Sequence, residues 1–364
     1  MPAATATPNP ISRRKLKSLD AGHNRRTAEA ADLRYVSAGE PGISRIAAGK
    51  GFHYKSGGRT VTNKKVLARI QALVLPPAWT DVWICKDDDG HLQATGIDAA
   101  GRKQYRYHAH WQAMRGATKF YHLYEFGKAL PLIRERLHAD LAQSDLSRNK
   151  VLALVVAIMC ETGIRIGNAA YEKLYGSFGL TTLKDQHVRM NKGRISFSFR
   201  GKKGVHQRIT LRSRKLSHLV RQCRDIPGKE LFQYFDGRGE HCAIDSGQVN
   251  GYIKEISGGN FSAKDFRTWT GSLQGLNAFL ELGVTPEKIT ERRRNAVAAL
   301  DSVAAMLGNT RTVCKKYYVH PTLLTMYEEG TLEKYLKQLK KTRDGEPVNH
   351  LFPNERVLMR VLGL

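Results

Sequence analysis

The segment from Ser147 to Glu161 is apolar on nearly every face of a helix, with Val151, Leu152, Leu154, Val155, Ile158 and Met159 leaving little polar surface. A helix of that kind has to sit in a core, so the chain must supply packing partners all around it. The segment is shorter than the roughly 20 apolar residues a membrane span needs, and no other stretch approaches that length. At 364 residues, 41% of them hydrophobic, the chain can bury such a core and divide into two domains. The expected class is α+β: a small β-rich N-terminal domain, then a larger, mainly α-helical domain containing a β-hairpin or three-stranded sheet.

The boundaries follow from changes of pattern. Residues 1–33 are rich in Ala, Thr, Pro and Arg with no clear apolar period, and a basic arm, disordered without a partner, is expected there. Residues 34–115 hold short β-like pieces, Val82-Trp83-Ile84-Cys85 and Leu92-Gln93-Ala94-Thr95-Gly96, separated by turn signals such as Asp88-Asp89-Gly90. One helix is expected among them, from Asn63 to Leu73, starting on a capping residue and stopping before Pro76-Pro77. Residues 116–364 are mainly helical, beginning with Leu130–Leu141. Ile195, Phe197 and Phe199 alternate with Ser196, Ser198 and Arg200, and after Gly201-Lys202-Lys203-Gly204 the strand Gln207–Leu211 returns, which predicts a hairpin. A last long helix is expected from Pro286, capped by Thr285, to Leu307, with Gly308 ending it and Asn309 at its exit.

Four residues in four separate segments stand where a side chain can be aimed. Arg165 lies in Thr162-Gly163-Ile164-Arg165-Ile166-Gly167-Asn168, Lys202 in the hairpin turn, Arg267 after Lys264-Asp265-Phe266, and Tyr318 in Lys315-Lys316-Tyr317-Tyr318-Val319-His320-Pro321. Singly, each has an ordinary explanation: a helix-terminal arginine answers the dipole, a lysine in a glycine-rich turn is solvated, and a tyrosine beside Val319 is half-buried. Jointly they suit metal-free attack of a tyrosine hydroxyl on a phosphodiester. Guanidinium groups match phosphate bidentately and stay charged as negative charge builds on the phosphoryl oxygens. A lysine on a hairpin tip can protonate a departing alkoxide. A tyrosine, with an ordinary pKa near 10, needs neighbouring cations to favour its phenolate, and its ester conserves bond energy for resealing.

The order of these segments, with Gly101-Arg102-Lys103-Gln104-Tyr105-Arg106-Tyr107 ahead of them, resembles the type IB DNA topoisomerases, in particular the short poxvirus-like form found in bacteria. The likeness runs from about Tyr35 to about Gly330. It implies that Tyr318 becomes linked to a 3′ phosphate, that Arg165 and Arg267 bind the scissile phosphate and that Lys202 is the acid. It also implies a monomer that clamps duplex DNA between two domains joined near residues 112–120, nicks one strand and relaxes supercoils of either sign without ATP, metal or other cofactor. Expected DNA contacts are Arg102, Lys103, Gln104, Tyr105, Tyr107, Lys203 and Lys264. For Tyr105 and Tyr107 the competing explanation is sheet packing. Tyr317 adjoins Tyr318, and the family spacing from Asn309 favours Tyr318. The sequence departs from the viral and nuclear relatives at Asn309, where they carry histidine. An amide there can hydrogen-bond a phosphoryl oxygen but cannot shuttle protons.

Composition fits this picture. A formal charge of +26 and a pI near 10 favour a nucleic-acid partner and salt-sensitive binding, a property shared by many basic proteins. The cysteines at 85, 160, 223, 242 and 314 are odd in number and far apart, so reduced thiols and a cytoplasmic, nucleoid-associated location are expected. There is no phosphate-binding loop, zinc-protease motif or serine-hydrolase elbow, and His108 and His110 lack a nearby cysteine or carboxylate to complete a metal set. Two other readings stay open. A tyrosine recombinase shares the catalytic set, although it usually has histidine where Lys264 stands, and an architectural DNA-binding protein with a decayed site would accommodate Asn309.

Overall fold

In the computed structural model, which describes residues 24–49, 51–283 and 286–363, the N-terminal unit is built on one six-stranded antiparallel sheet. Its strands are β1 (Ile43–Ala48), β2 (Gly51–Ser56), β3 (Arg59–Thr60), β4 (Thr80–Ile84), β5 (Leu92–Ile97) and β6 (Lys103–Tyr107), in the order β3-β2-β1-β4-β5-β6. Helix α1 (Asn24–Ala30) precedes them and α2 (Lys64–Ala72) lies between β3 and β4. Asn63 caps α2 as its sequence predicts, its side chain accepting from Lys65 N at 2.9 Å. Ile70 of this helix packs with Ile43, Val82, Ile84 and Ala94 of the sheet. Strand β6 lies at the sheet edge, paired only to β5.

Of the expected arm, residues 1–23 lie outside the described residues. The remainder is ordered, contrary to expectation: α1 and the residues after it bury Ala28, Ala31 and Leu33 against Trp111 and Met114. Ala28 and Ala31 are small and their partners lie far off in the chain, which is why no apolar period marks them.

The chain divides into two units between His122 and Leu123, a few residues beyond the expected boundary. That division falls inside α3 (Ala109–Leu141), so the junction expected near residues 112–120 is helical. Helix α3 also begins well before Leu130 and carries Pro131 in its interior.

In the second unit, α4 (Arg148–Thr162) is the all-apolar helix, capped by Ser147 and ended by Gly163 at φ 65°. Val151, Val155, Val156, Ile158 and Met159 are fully buried there. Each such side chain contributes about 1.5–3 kcal/mol when removed from water. After α5 (Ala169–Tyr175), strands β7 (Val188–Asn191), β8 (Arg194–Arg200) and β9 (His206–Thr210) form the expected three-stranded sheet, with Ile195, Phe197 and Phe199 facing the core. Next come α6 (Arg214–Arg224), the short pair β10 (Gln233–Phe235) and β11 (His241–Ala243), α7 (Ser246–Ser257) and α8 (Ala263–Glu281). Helix α9 (Ile289–Leu307) starts later than Pro286, and the expected cap Thr285 lies outside the described residues. It is not the last helix: α10 (Arg311–Tyr317), α11 (Pro321–Glu328), α12 (Glu333–Thr342) and α13 (Pro353–Leu362) follow. Helix α13 is tied to α3 and α8 through Glu355, which takes both Arg134 nitrogens at 2.6 and 2.7 Å and Trp269 Nε1 at 3.1 Å.

Candidate active site

Arg165 owes its place to the way α4 ends. Gly163 takes the left-handed conformation that releases the chain from the helix, a conformation that a Cβ would strain. The loop beyond is then pinned by backbone: Leu180 N donates to Arg165 O at 2.9 Å and Thr181 N to Ile166 O at 2.6 Å. Gly179 permits this, since a Cβ there would lie 2.4 Å from Gly167 N and 2.6 Å from Arg165 O.

Arg267 comes from the second turn of α8 and is 5% exposed. Its guanidinium donates to the main-chain carbonyls of Gly163 and Leu307, the latter at 3.0 Å, so the ends of α4 and α9 hold it. Those carbonyls are helix-terminal groups that lack a partner within their own helix. Its Nε is buried with no hydrogen-bond partner, and an unsatisfied buried donor costs about 1–3 kcal/mol. Burial first, and the nearby Arg165 second, bring Arg267 down to about 10, with Tyr318 opposing both. Arg165 is likewise lowered, chiefly by burial. At neutral pH both remain cations.

Tyr318 follows the last turn of α10, with its N–H donating to Cys314 O at 2.9 Å. Tyr318 interacts with both Arg165 and Arg267, opposing the lowering of each, and the Arg267 guanidinium carbon lies 5.2 Å from the centre of its ring. Tyr317 is more exposed and has Lys316 over its ring at 5.4 Å. The two arginines therefore gather around Tyr318.

Asn309 sits just beyond Gly308, the left-handed end of α9, where the sequence places it. Its Oδ1 accepts from Arg165 Nη2 at 2.7 Å, and its Nδ2 lies 3.4 Å from Leu307 O. The amide thus orients one of the arginines. Lys202 stands exposed at the β8–β9 tip, where Lys203 at φ 61° and Gly204 at φ 77° turn the chain. Arg165, Lys202, Lys203, Lys264, Asn309, Tyr317 and Tyr318 all line one cavity of about 1240 Å³.

Three supports of these residues are not legible in the sequence. The carbonyls holding Arg267 are one. Gln207 is another: its side chain packs over both Gly201 and Gly308, where an added Cβ would lie 3.1 Å and 2.2 Å from it, so it sits between the Lys202 hairpin and the Asn309 turn. The third is Ser272, which hydrogen-bonds the backbone on both sides of Val319.

The remaining expected DNA contacts belong to the other unit, on or beside β6. Tyr105 and Tyr107 stack with ring centres 5.9 Å apart and planes 10° from parallel. Tyr107 packs onto the Trp111 cluster, whereas Tyr105 is 49% exposed, so sheet packing accounts for one of the two. Arg102 and Gln104 both bond Asp98 Oδ2, at 2.7 and 2.8 Å, and Lys103 is exposed. His108 and His110 pack edge to face at 4.9 Å. Among the described residues no three His, Cys, Asp or Glu side chains converge as a metal site, and no helix is long and apolar enough to cross a membrane.

Comparison with known proteins accords with this arrangement. Residues 108–345 match the family described as the catalytic core of eukaryotic DNA topoisomerase I, and residues 51–98 match the N-terminal domain of bacterial DNA topoisomerase IB. The DNA topoisomerase 1B of Acanthamoeba polyphaga mimivirus is 32% identical over 298 residues, covering 79% of this chain and 88% of the viral protein. The DNA topoisomerase 1B of vaccinia virus (strain Copenhagen) is 23% identical over 281 residues, 75% of this chain and 84% of that protein. A family match over most of the chain, together with a relative of this identity and coverage, establishes that the chain belongs to the type IB DNA topoisomerases, enzymes of the isomerase class.

Proposed function

We propose that this enzyme relaxes positive and negative supercoils in duplex DNA through a transient break in one strand. The phenolate of Tyr318 attacks a phosphodiester, the Tyr318 Oη–P bond forms as the P–O5′ bond breaks, and the departing O5′ takes a proton from Lys202 Nζ. Arg165 and Arg267 hold the non-bridging oxygens, and Asn309 keeps Arg165 turned toward them. The phenolic proton passes to water. Because the 3′-phosphotyrosyl ester retains the bond energy, attack by the free 5′ hydroxyl reverses the break with no nucleotide hydrolysis. Arg102, Lys103, Gln104, Tyr105, Tyr107, Lys203 and Lys264 contact the duplex in this reading, the cations mostly at phosphates.

The observation that carries the proposal is the setting of Tyr318: buried Arg267, gripped by two main-chain carbonyls, and part-buried Arg165, held by Asn309, both interact with it, and Arg165, Lys202 and Tyr318 line one cavity. The test is incubation of the protein and Tyr318→Phe with supercoiled plasmid in EDTA without ATP, stopped with detergent. Relaxed circles and a covalent 3′ adduct are expected from the parent, with neither from the variant. An adduct without relaxation would point to strand transfer between partners, and DNA binding with no adduct would refute a catalytic Tyr318.

A further inference from the structure

Tyr318 occupies a connection that must be held from outside itself. Helix α10 has ended at Tyr317 and α11 does not begin until Pro321, so the main chain of residues 318–320 includes terminal groups that no helix satisfies. The side chain of Ser272 takes two of them. Its Oγ donates to Tyr318 O at 3.2 Å and accepts from His320 N at 3.0 Å, and Ser272 has no exposed surface. One hydroxyl can do both because it carries one donor and two acceptor positions.

Ser272 stands on the same helix as Arg267. Gly271, one turn after Arg267, lets that helix come so close that an added Cβ would lie 2.7 Å from Tyr318 O and 3.0 Å from Tyr318 Cβ. One turn further, Gly275 accepts Val319, whose Cγ1 would sit 3.4 Å from a Cβ there. A single rigid element thus carries the buried guanidinium and the seat of the tyrosine backbone.

We infer that Ser272 is a positioning residue for the nucleophile: by fixing the Tyr318–His320 main chain on α8, it sets the separation between the Tyr318 hydroxyl and the Arg267 guanidinium before DNA arrives. The inference rests on the reading of Tyr318 as nucleophile. It assigns Ser272 no contact with the substrate.

The test uses the full chain in excess over a radiolabelled duplex oligonucleotide, with the rate constant and the final extent of cleavage recorded separately. Ser272→Ala should slow both cleavage and religation by about 10- to 100-fold, the scale on which small misplacements of reacting groups cost rate. DNA affinity and the final extent of cleavage should stay at parent values. Ser272→Thr, which keeps the hydroxyl, should recover most of the rate, and Gly271→Ala should slow the reaction at least as much as Ser272→Ala. Leu339→Ala, a core truncation in α12, serves as a control matched for loss of Tm; it should lower the fraction of active enzyme without changing the rate constant. A parent-like rate constant in Ser272→Ala, or a loss seen only in the active fraction, overturns the inference. A parent that forms no adduct at Tyr318 overturns the nucleophile assignment itself, a result told apart by the Tyr318→Phe control.

Discussion

The cations of the catalytic unit and those of the β6 edge are held in different ways. Arg267 is buried and gripped by main-chain carbonyls at two helix ends, positions that cannot move without unravelling α4 or α9. Arg102 is about half exposed, 47% by side chain, and its carboxylate partner Asp98 lies four residues away in a turn. Lys202 stands between these cases, exposed but carried on a hairpin whose strands are pinned by Phe197 and Phe199. Backbone anchoring suits a group whose charge must already be in place when a transition state forms, since reorganisation then costs nothing. A carboxylate that a competing phosphate can displace suits a group that adapts to its partner.

If that contrast is right, Arg267→Ala should have the largest effect. The cleavage rate should fall by about 10³- to 10⁵-fold, the size seen where an arginine stabilises a transferring phosphoryl group. DNA affinity should change little, measured by single-turnover cleavage beside equilibrium binding. A loss under tenfold would mean that the buried site is a structural brace. Some stability should go as well, because two carbonyls lose their donor.

Lys202→Ala comes next, with an expected loss of about 10²- to 10⁴-fold for removal of a general acid. Replacing the 5′ bridging oxygen of the substrate with sulfur separates it from Arg267. A thiolate leaves without a proton, so the sulfur substrate should restore cleavage by Lys202→Ala and leave Arg267→Ala slow. Equal rescue of both would erase the distinction between acid and phosphate clamp.

These assignments also show what a single sequence can carry. The ends of α4 were legible because Ser147 and Gly163 have local jobs, and the Lys202 hairpin because alternation is local too. The start of α9 was misplaced because Pro286 offered a first-turn signal and the helix begins at Ile289, after Lys288, which gives no side-chain cap. Helix α3 was cut short because its N-terminal half mixes Trp111, Arg115 and Lys119 and so carries no clear apolar stripe. The candidate site residues could be named, but their supports could not. The bonds from Arg267 to Gly163 and from Ser272 to Tyr318 cross 104 and 46 residues, and nothing local encodes such a distance. Asn309 was read as a donor to phosphate, and in the folded chain its oxygen accepts from Arg165.

The smallest expected effect belongs to the β6 edge, and it concerns selectivity. Asp98 Oδ1 accepts from Ala100 N and Arg102 N at 2.9 and 3.0 Å, while Oδ2 takes Arg102 and Gln104 Nε2. Its hydrogen bonds to Arg102 hold this carboxyl down at about 2, so it lets go only as pH falls toward that value and stays ionised in any ordinary assay. An ionised carboxylate only accepts, so the Gln104 amide must turn its NH₂ toward Asp98 and its carbonyl outward. Under the proposal that Gln104 meets base edges, an outward carbonyl favours an exocyclic amine in the major groove, adenine N6 or cytosine N4, over the keto groups of guanine and thymine. Asp98→Ala frees the amide to turn over and should erase about 1 kcal/mol of base preference at one position, with the overall cleavage rate nearly unchanged. Cleavage-site profiles of parent and variant on a pool of duplexes varied at each position would show one column flattening. A profile unchanged at every position would mean that Asp98 only shapes the turn, and that the β6 edge reads DNA through Tyr105 and phosphate contacts alone.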